Sequence, residues 1–392
     1  MLNASISPWP SFTQEEASRV QEIILSNRVN YWTGDEGRQF EREFAKWSGS
    51  AHAIALANGT LALDLALKVL GIGPGDEVVV TPRTFIASVS TVVNAGATPV
   101  FADVDADSGN ISPATIAPVL SERTRAIIPV HLGGWPCDMD GIMALASARD
   151  IKVIEDCAQA HGAMVGGRSV GSLGHIGAWS FCQDKIMTTG GEGGMVTTDD
   201  MSLWDAMWSF KDHGKSWDAV YNREHPPGFR WLHESFGTNW RMLEIQAAIG
   251  RIQLRRMTEW TARRTWIAGQ IRDALTPLAS AVRVPTAEAG LTHAYYRQYA
   301  YVREQGLKDG WSRDRIIAEC MARGAIIMQG SCSEVYLERA FDDTPWRPAQ
   351  RLPVARELGE TSLMFLCHPT LTDDEVAKMA RVAAEVIGEA SR

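Results

Sequence analysis

No stretch of the 392-residue chain approaches the roughly 18 consecutive apolar residues that would cross a membrane. The opening residues, Met1 to Pro10, lack the basic and apolar regions of a secretory signal, so a cytoplasmic location is expected. Basic residues are in deficit, with a formal net charge of -9. Contacts to nucleic-acid phosphates need a basic face, so that class is disfavoured. The cysteines (Cys137, Cys157, Cys182, Cys320, Cys332 and Cys367) show no CxxC spacing and are scattered. Reduced thiols are expected rather than a disulfide framework. There is no HExxH, and no metal is expected. Gly214-Lys215-Ser216 ends like a phosphate-binding loop, but Ser209 stands where the upstream glycine is required. Gly71-Ile72-Gly73-Pro74-Gly75 follows a helical pattern rather than a strand, which disfavours a nicotinamide dinucleotide fingerprint.

What is present is alternation. Short β-rich runs at 52–57, 77–82, 99–104, 126–131, 152–156, 177–181 and 194–198 are nearly continuous in apolar residues, as strands covered on both faces are. Between them, 61–70, 85–95, 113–120 and 139–148 have helical length and composition. This is βαβ repetition, and it predicts an α/β domain around a mainly parallel sheet of seven strands. Beyond Asp199 the pattern changes. Residues 204–233 have little period and read as irregular surface structure, whereas 241–275 form one long helical pattern. A linker is expected at 276–290, then helices at 313–322 and near the C-terminus, the last opened by the capping box Thr372-Asp373-Asp374-Glu375. A similar box, Thr13 to Glu16, opens a helix reaching about residue 24. The expected division is a large domain over 1–255 and a smaller α+β domain over 256–392.

Candidate chemistry gathers at the C-terminal ends of the strands, where open α/β sheets place ligands. Ala57-Asn58-Gly59-Thr60-Leu61 turns directly into a helix, and such a helix start offers free N–H groups to a phosphate. Its plainer reading is a β-to-helix turn with a Thr cap. Asp156 ends a buried strand in Glu155-Asp156-Cys157-Ala158-Gln159-Ala160-His161, a costly place for a carboxylate without a cationic partner. Its plainer reading is a cap on neighbouring backbone. Lys185, one of only eight lysines, follows a strand ending in Ser180 and precedes the glycine-rich loop to Gly194. A partly desolvated lysine there has an amine available for imine formation, although a solvated surface lysine would look the same. Together the three segments offer a phosphate cradle, a carboxylate for a protonated ring nitrogen and an imine-forming amine, which is what pyridoxal 5′-phosphate (PLP) requires.

Five ordered motifs then align across nearly the whole chain: NGTLALDLAL from Asn58, GDEVVVTPRTFIAS from Gly75, EDCAQAHGA from Glu155, SFCQDKIMTTGGEGGMVTTD from Ser180 and GTNWRMLEIQAAIGRIQL from Gly237. In these the chain resembles the DegT/DnrJ/EryC1/StrS sugar aminotransferases, PLP enzymes of the aspartate-aminotransferase-like fold (fold type I). The resemblance implies that Lys185 carries the cofactor and that Asp156 pairs with its pyridine nitrogen. It implies that Gln159 lies near the ring, that Phe85 stacks on it, and that Gly59, Thr60, Leu61 and Ser180 line its phosphate. Asn239 matches a residue that reaches the phosphate in the neighbouring subunit, which implies a homodimer with shared sites. The glycine pair Gly190-Gly191 departs from the single glycine of many members.

The implied reaction moves an amino group from an amino acid, L-glutamate, to a nucleotide-linked keto-sugar. A 4-keto-6-deoxy sugar is expected, aminated at C4 in preference to C3, for surface polysaccharide or secondary-metabolite synthesis. Two other readings are a PLP-dependent nucleotide-sugar dehydratase and a regulatory protein that keeps the fold without turnover. Members of the first kind replace the lysine by histidine, against which Lys185 speaks. The second is opposed by the complete set Lys185, Asp156, Gln159 and Thr60.

Overall fold

The computed structural model describes residues 6–392. Its large sheet has seven strands: β1 (His52–Leu56), β2 (Glu77–Val80), β3 (Thr98–Phe101), β4 (Thr124–Ile128), β5 (Lys152–Asp156), β8 (Ile176–Ser180) and β9 (Gly194–Thr198). Their spatial order is β1-β9-β8-β5-β4-β2-β3, and β9 alone runs against its neighbours. All seven expected strands are therefore found in one sheet. Successive residues of β2 face opposite ways: Val78 and Val80 enter one apolar cluster, Val79 another. That two-residue period, with both faces covered, explains the continuous apolar runs.

The covering helices are α1 (Gln14–Leu25), α2 (Glu36–Ser48), α3 (Gly59–Val69), α4 (Ala87–Asn94), α5 (Pro113–Ile116), α6 (Met139–Ser147), α7 (Met201–Lys211) and α8 (Trp217–Tyr221). The last two correct the expectation of irregular structure over 204–233. Asp200 caps α7 by accepting from the N–H groups of Ser202 and Leu203, and Trp208 is buried beneath it. Ser216, last residue of the apparent phosphate loop, caps α8 instead.

α9 (Glu244–Leu275) is one helix of 32 residues, about 48 Å long. Its first half packs Ala247, Leu254 and Met257 on the large domain, and its second half packs Ile267, Ile271 and Leu275 into the small one. The expected division at 255/256 thus falls inside a continuous helix. The small domain holds β10 (Val282–Arg283), β12 (Arg297–Val302), β13 (Ile327–Met328) and β14 (Ser362–Leu366) in an antiparallel sheet ordered β10-β12-β14-β13. β10 lies within the segment expected to be a linker. Around this sheet run α10 (Arg313–Ala322), α11 (Pro353–Thr361) and α12 (Asp373–Ala390), and Thr372 and Glu375 form the expected capping box of α12. A third sheet joins β6 (Met164–Val165), β7 (Arg168–Ser169) and β11 (Leu291–Thr292). Among the described residues no helix is long and apolar enough to cross a membrane. The six cysteines are unpaired.

Candidate active site

The strand order decides what meets what. β1, β8 and β5 end at one edge of the sheet, and antiparallel β9 begins there, so Asn58, Gly194, Ser180 and Asp156 are neighbours across consecutive strands. The approach is close. A Cβ on Gly59 would stand 2.5 Å from the Ser180 Cβ, and one on Gly194 would stand 2.2 Å from the Asn58 carbonyl oxygen. Gly59 and Thr60 open α3, where first-turn N–H groups have no acceptor within the helix. The N–H of Leu61 is already held by the Asn58 side chain at 3.0 Å, so Leu61 serves the helix cap, while Gly59 and Thr60 keep the free donors. The cradle is the gap between this helix start and Ser180.

Asp156 is buried at the end of β5. Its Oδ2 accepts from the Ser88 hydroxyl at 2.8 Å and its Oδ1 from the Ala158 N–H at 3.1 Å. Ser88 in turn shares a hydrogen bond with Thr84 at 2.7 Å. Among the described residues no cationic side chain lies within ion-pair distance of Asp156. Two neutral donors fix a buried carboxylate without neutralising it, which is the arrangement that a protonated ring nitrogen would complete. Gln159 accepts from the Gly133 N–H at 2.8 Å, so that its oxygen is tied back and its amide nitrogen is the free end. Phe85, between β2 and α4, is 68% exposed, an apolar ring presented rather than packed.

Lys185 sits in the turn after β8, its Nζ 5.5 Å from the centre of the Tyr296 ring. Among the described residues no carboxylate comes within ion-pair distance of it. Two other lysines that follow it in sequence are committed elsewhere. Lys211 is fully buried, 3.1 Å from Glu41 and over the Tyr31 ring, and Lys215 pairs with Asp212 at 3.1 Å. In the following loop Gly190 and Gly191 have φ of +88° and +123°, so the extra glycine occupies backbone that other residues adopt at a cost.

Asn239 is exposed and does not cap α9, whose N-cap is Leu243; helix capping is thereby removed as its role. The segment containing it runs along the end of β1: the Ala57 N–H donates to the Trp240 carbonyl at 3.0 Å. Far from the cradle in sequence, Asn239 is thus carried to the same edge of the fold.

Sequence reasoning did not single out Ser88, Gly133 or Tyr296. Ser88 lies four residues after Thr84, one helical turn, which was the available signal. Nothing local marks Tyr296, which arrives from the small domain. Glu155 is fully buried for a different reason. It accepts from three N–H groups, those of Gly171, Leu173 and Gly174, and hydrogen-bonds His131 at 3.0 Å. His131, Glu155 and Cys157 form a compact cluster, but the carboxylate is saturated by backbone and the cluster is a structural knot rather than a metal site.

Proteins of known name or structure resemble this chain over nearly its whole length. An aminotransferase from Psychrobacter cryohalolentis superposes with a TM-score of 0.97 at 62% identity, over 98% of this chain and 99% of that one. The GDP-perosamine synthase of Caulobacter vibrioides is 36% identical, over 94% of this chain and 95% of its own. A PLP form of a Streptococcus pneumoniae protein assigned to the sugar aminotransferases has a TM-score of 0.86 at 25% identity, over 99% of both chains. The family model of the DegT/DnrJ/EryC1/StrS aminotransferases matches residues 10–384, and the chain belongs to that family.

Proposed function

We propose that the protein is a PLP-dependent sugar-nucleotide aminotransferase that takes the amino group of L-glutamate and delivers it to C4 of a nucleotide-linked 4-keto-6-deoxy sugar. The observation that carries the reading is the convergence of Lys185, Asp156 and the Gly59–Ser180 cradle at one sheet edge. The cradle would fill if Gly59 had a side chain, and Asp156 is a buried carboxylate lacking a cation; both fit the cofactor's phosphate and pyridine nitrogen. The named activity of the Caulobacter vibrioides relative and the PLP form of the Streptococcus pneumoniae protein support the substrate class and the cofactor.

When bound, PLP supplies an electron sink for the bond-breaking at the donor's α-carbon. Thr60, Ser180 and the N–H groups at the start of α3 would hold its phosphate, with Phe85 against the ring. Asp156 would keep the ring nitrogen protonated, because a buried carboxylate favours the cationic form beside it. The Lys185 Nζ would hold the cofactor, and as a free amine beside the donor it would be the base that takes the proton from the α-carbon, work typically worth about 10²–10⁴ in rate. In the second half-reaction it returns a proton to the sugar carbon that receives the amine. We further propose a homodimer working in the cytoplasm, each site borrowing Asn239 from the partner, with the product entering surface polysaccharide or secondary-metabolite synthesis. The exposed apolar side chains Phe229, Trp231 and Phe236 beside Asn239 support a covered surface there.

The test is a panel of UDP-, GDP- and dTDP-linked keto-sugars incubated with PLP-loaded protein and L-glutamate. Mass and NMR of the product should show ketone exchanged for amine at C4. Failure of glutamate to bleach the yellow protein, or loss of a sugar hydroxyl without amination, would overturn the reading, the latter in favour of a dehydratase.

A further inference from the structure

The residue immediately before Lys185 is a carboxylate, and the small domain grips it. The Tyr296 hydroxyl donates to Asp184 Oδ2 at 2.6 Å, and the Arg297 guanidinium approaches the same oxygen at 3.6 Å. Arg297 opens β12 and Tyr296 directly precedes it, and the Arg297 guanidinium also lies over the Tyr296 ring at 4.0 Å. That same ring is the surface above which Lys185 Nζ stands. One aromatic ring therefore touches the carboxylate through its hydroxyl and supports the lysine on its face.

The charges around Lys185 can be counted element by element. Asp184 is on its own loop. Burial raises the Asp184 carboxyl, but Lys185, the Tyr296 hydrogen bond and Arg297 outweigh it, so it lies below its ordinary range and is an anion at neutral pH. After β5, His161 packs at a tilt against Trp179 and Phe181, fully buried, with neither ring nitrogen hydrogen-bonded. Burial, with Lys185 and Arg264 adding, drives it down to about 3, and it is neutral. From β12 and the residue before it come Tyr296, pushed up by burial and neutral, and the cation Arg297. From α9, Arg264 is fully buried behind His161, a second cation at neutral pH although burial lowers it to about 9. Asp184 is the one anion in this set, and of the two arginines it is Arg297 that reaches it.

We propose that Asp184 is a positioning residue for Lys185: held by Tyr296, its carboxylate balances the charge of Arg297 beside the lysine nitrogen that bears the cofactor and orders that nitrogen over the ring of Tyr296. Because Tyr296 and Arg297 belong to the small domain, the hold on Lys185 depends on how that domain sits. The side chain of Asp184 is 56% exposed, so water screens it and weakens its electrostatic effect.

The inference rests on Lys185 carrying PLP, and borohydride reduction with peptide mapping checks that separately. On the PLP-loaded protein, the pH midpoint of the cofactor's absorbance change is then measured. Asp184→Asn should lower it by about half a unit or more, and Arg297→Gln should raise it. Opposite signs from two neighbouring residues are something that a merely structural role would not give. On the cofactor-free protein, the pH dependence of reductive methylation of Lys185, followed by peptide mass, should move in the same two directions. That arm decides the matter even if PLP is found elsewhere, in which case only the functional reading fails. If Asp184→Asn does not fold, Tyr296→Phe, which removes the hydroxyl that holds Asp184, takes its place and should likewise lower the midpoint. Midpoints that coincide with the unsubstituted protein, or that move the same way in both variants, overturn the proposal.

Discussion

The strand ends that hold Lys185, Asp156 and Ser180 and the segment from 222 to 239 border the same edge of the sheet, yet they are built on opposite terms. At the strand ends polar groups are buried and satisfied by short neutral hydrogen bonds, Ser88 to Asp156 and Gly133 to Gln159 among them. In the segment, Trp231 is 81% exposed and Phe236 99% exposed, with Asn239 beside them. A buried polar group must find its partners within the chain, whereas a large exposed apolar ring costs free energy until something covers it. The first region is finished in one chain; the second leaves large apolar rings uncovered, and the predictions probe that division.

The largest effect is expected within the finished region. Lys185→Ala should lower kcat by more than about 10⁴-fold, since attachment and proton transfer are lost together. Circular dichroism and melting should be unchanged, because the side chain makes no ion pair among the described residues. Detectable steady turnover would place the amine elsewhere, although Lys211 and Lys215 are already paired with Glu41 and Asp212. Asp156→Asn comes next, with kcat lower by about 10²–10³ and PLP still bound, as the loss of one preorganised electrostatic partner would give. Single-turnover rates with glutamate measure it, and a near-normal rate would leave Asp156 only its bonds to Ser88 and Ala158.

Gly59→Ala should be milder and differently distributed. The new methyl would stand 2.5 Å from the Ser180 Cβ, inside any normal contact. Overpacking of this kind costs about 1–3 kcal/mol, roughly a tenfold to hundredfold weakening of cofactor binding if the cradle is what gives way. Fluorescence titration with PLP reads the affinity. Unchanged affinity would show that the gap beside Ser180 serves packing of α3 and not the phosphate.

The same division governs what could be read in advance. The seven strands were legible because burial on both faces writes a continuous apolar run, and Lys152–Asp156 and Gly194–Thr198 fall where their residues indicate. α7 was not read, although Asp200 gave the cap and Leu203, Met207 and Phe210, with Trp204 and Trp208, recur at helical spacing. The short strands Val282–Arg283 and Ile327–Met328 hold two residues each, too few for a period, and they exist only through β12 and β14. Within the site, Lys185, Asp156 and Thr60 announce themselves by strand-end context. Tyr296 and Arg297 do not, since their relation to Asp184 spans more than a hundred residues and depends on how the small domain docks.

The last prediction asks whether Asn239 belongs to the second region or the first, and its effect is the smallest. Asn239 lies along β1 of its own chain, one residue from Trp240, whose carbonyl receives the Ala57 N–H; proximity alone therefore does not assign it to a partner's site. Mixing does. Inactive Lys185→Ala subunits are combined with Asn239→Ala subunits and allowed to exchange. In random pairing half of the dimers are mixed. If Asn239 acts across the interface, one site of each mixed dimer collects both defects and the other has none. About a quarter of all sites then regain full activity, which the parent proteins lack. If Asn239 acts within its own chain, each site of a mixed dimer keeps one defect and activity stays at the average of the parents. Sedimentation of the mixture must show dimers for either result to count. Recovery would extend the site across two chains; its absence would make the cradle complete in one.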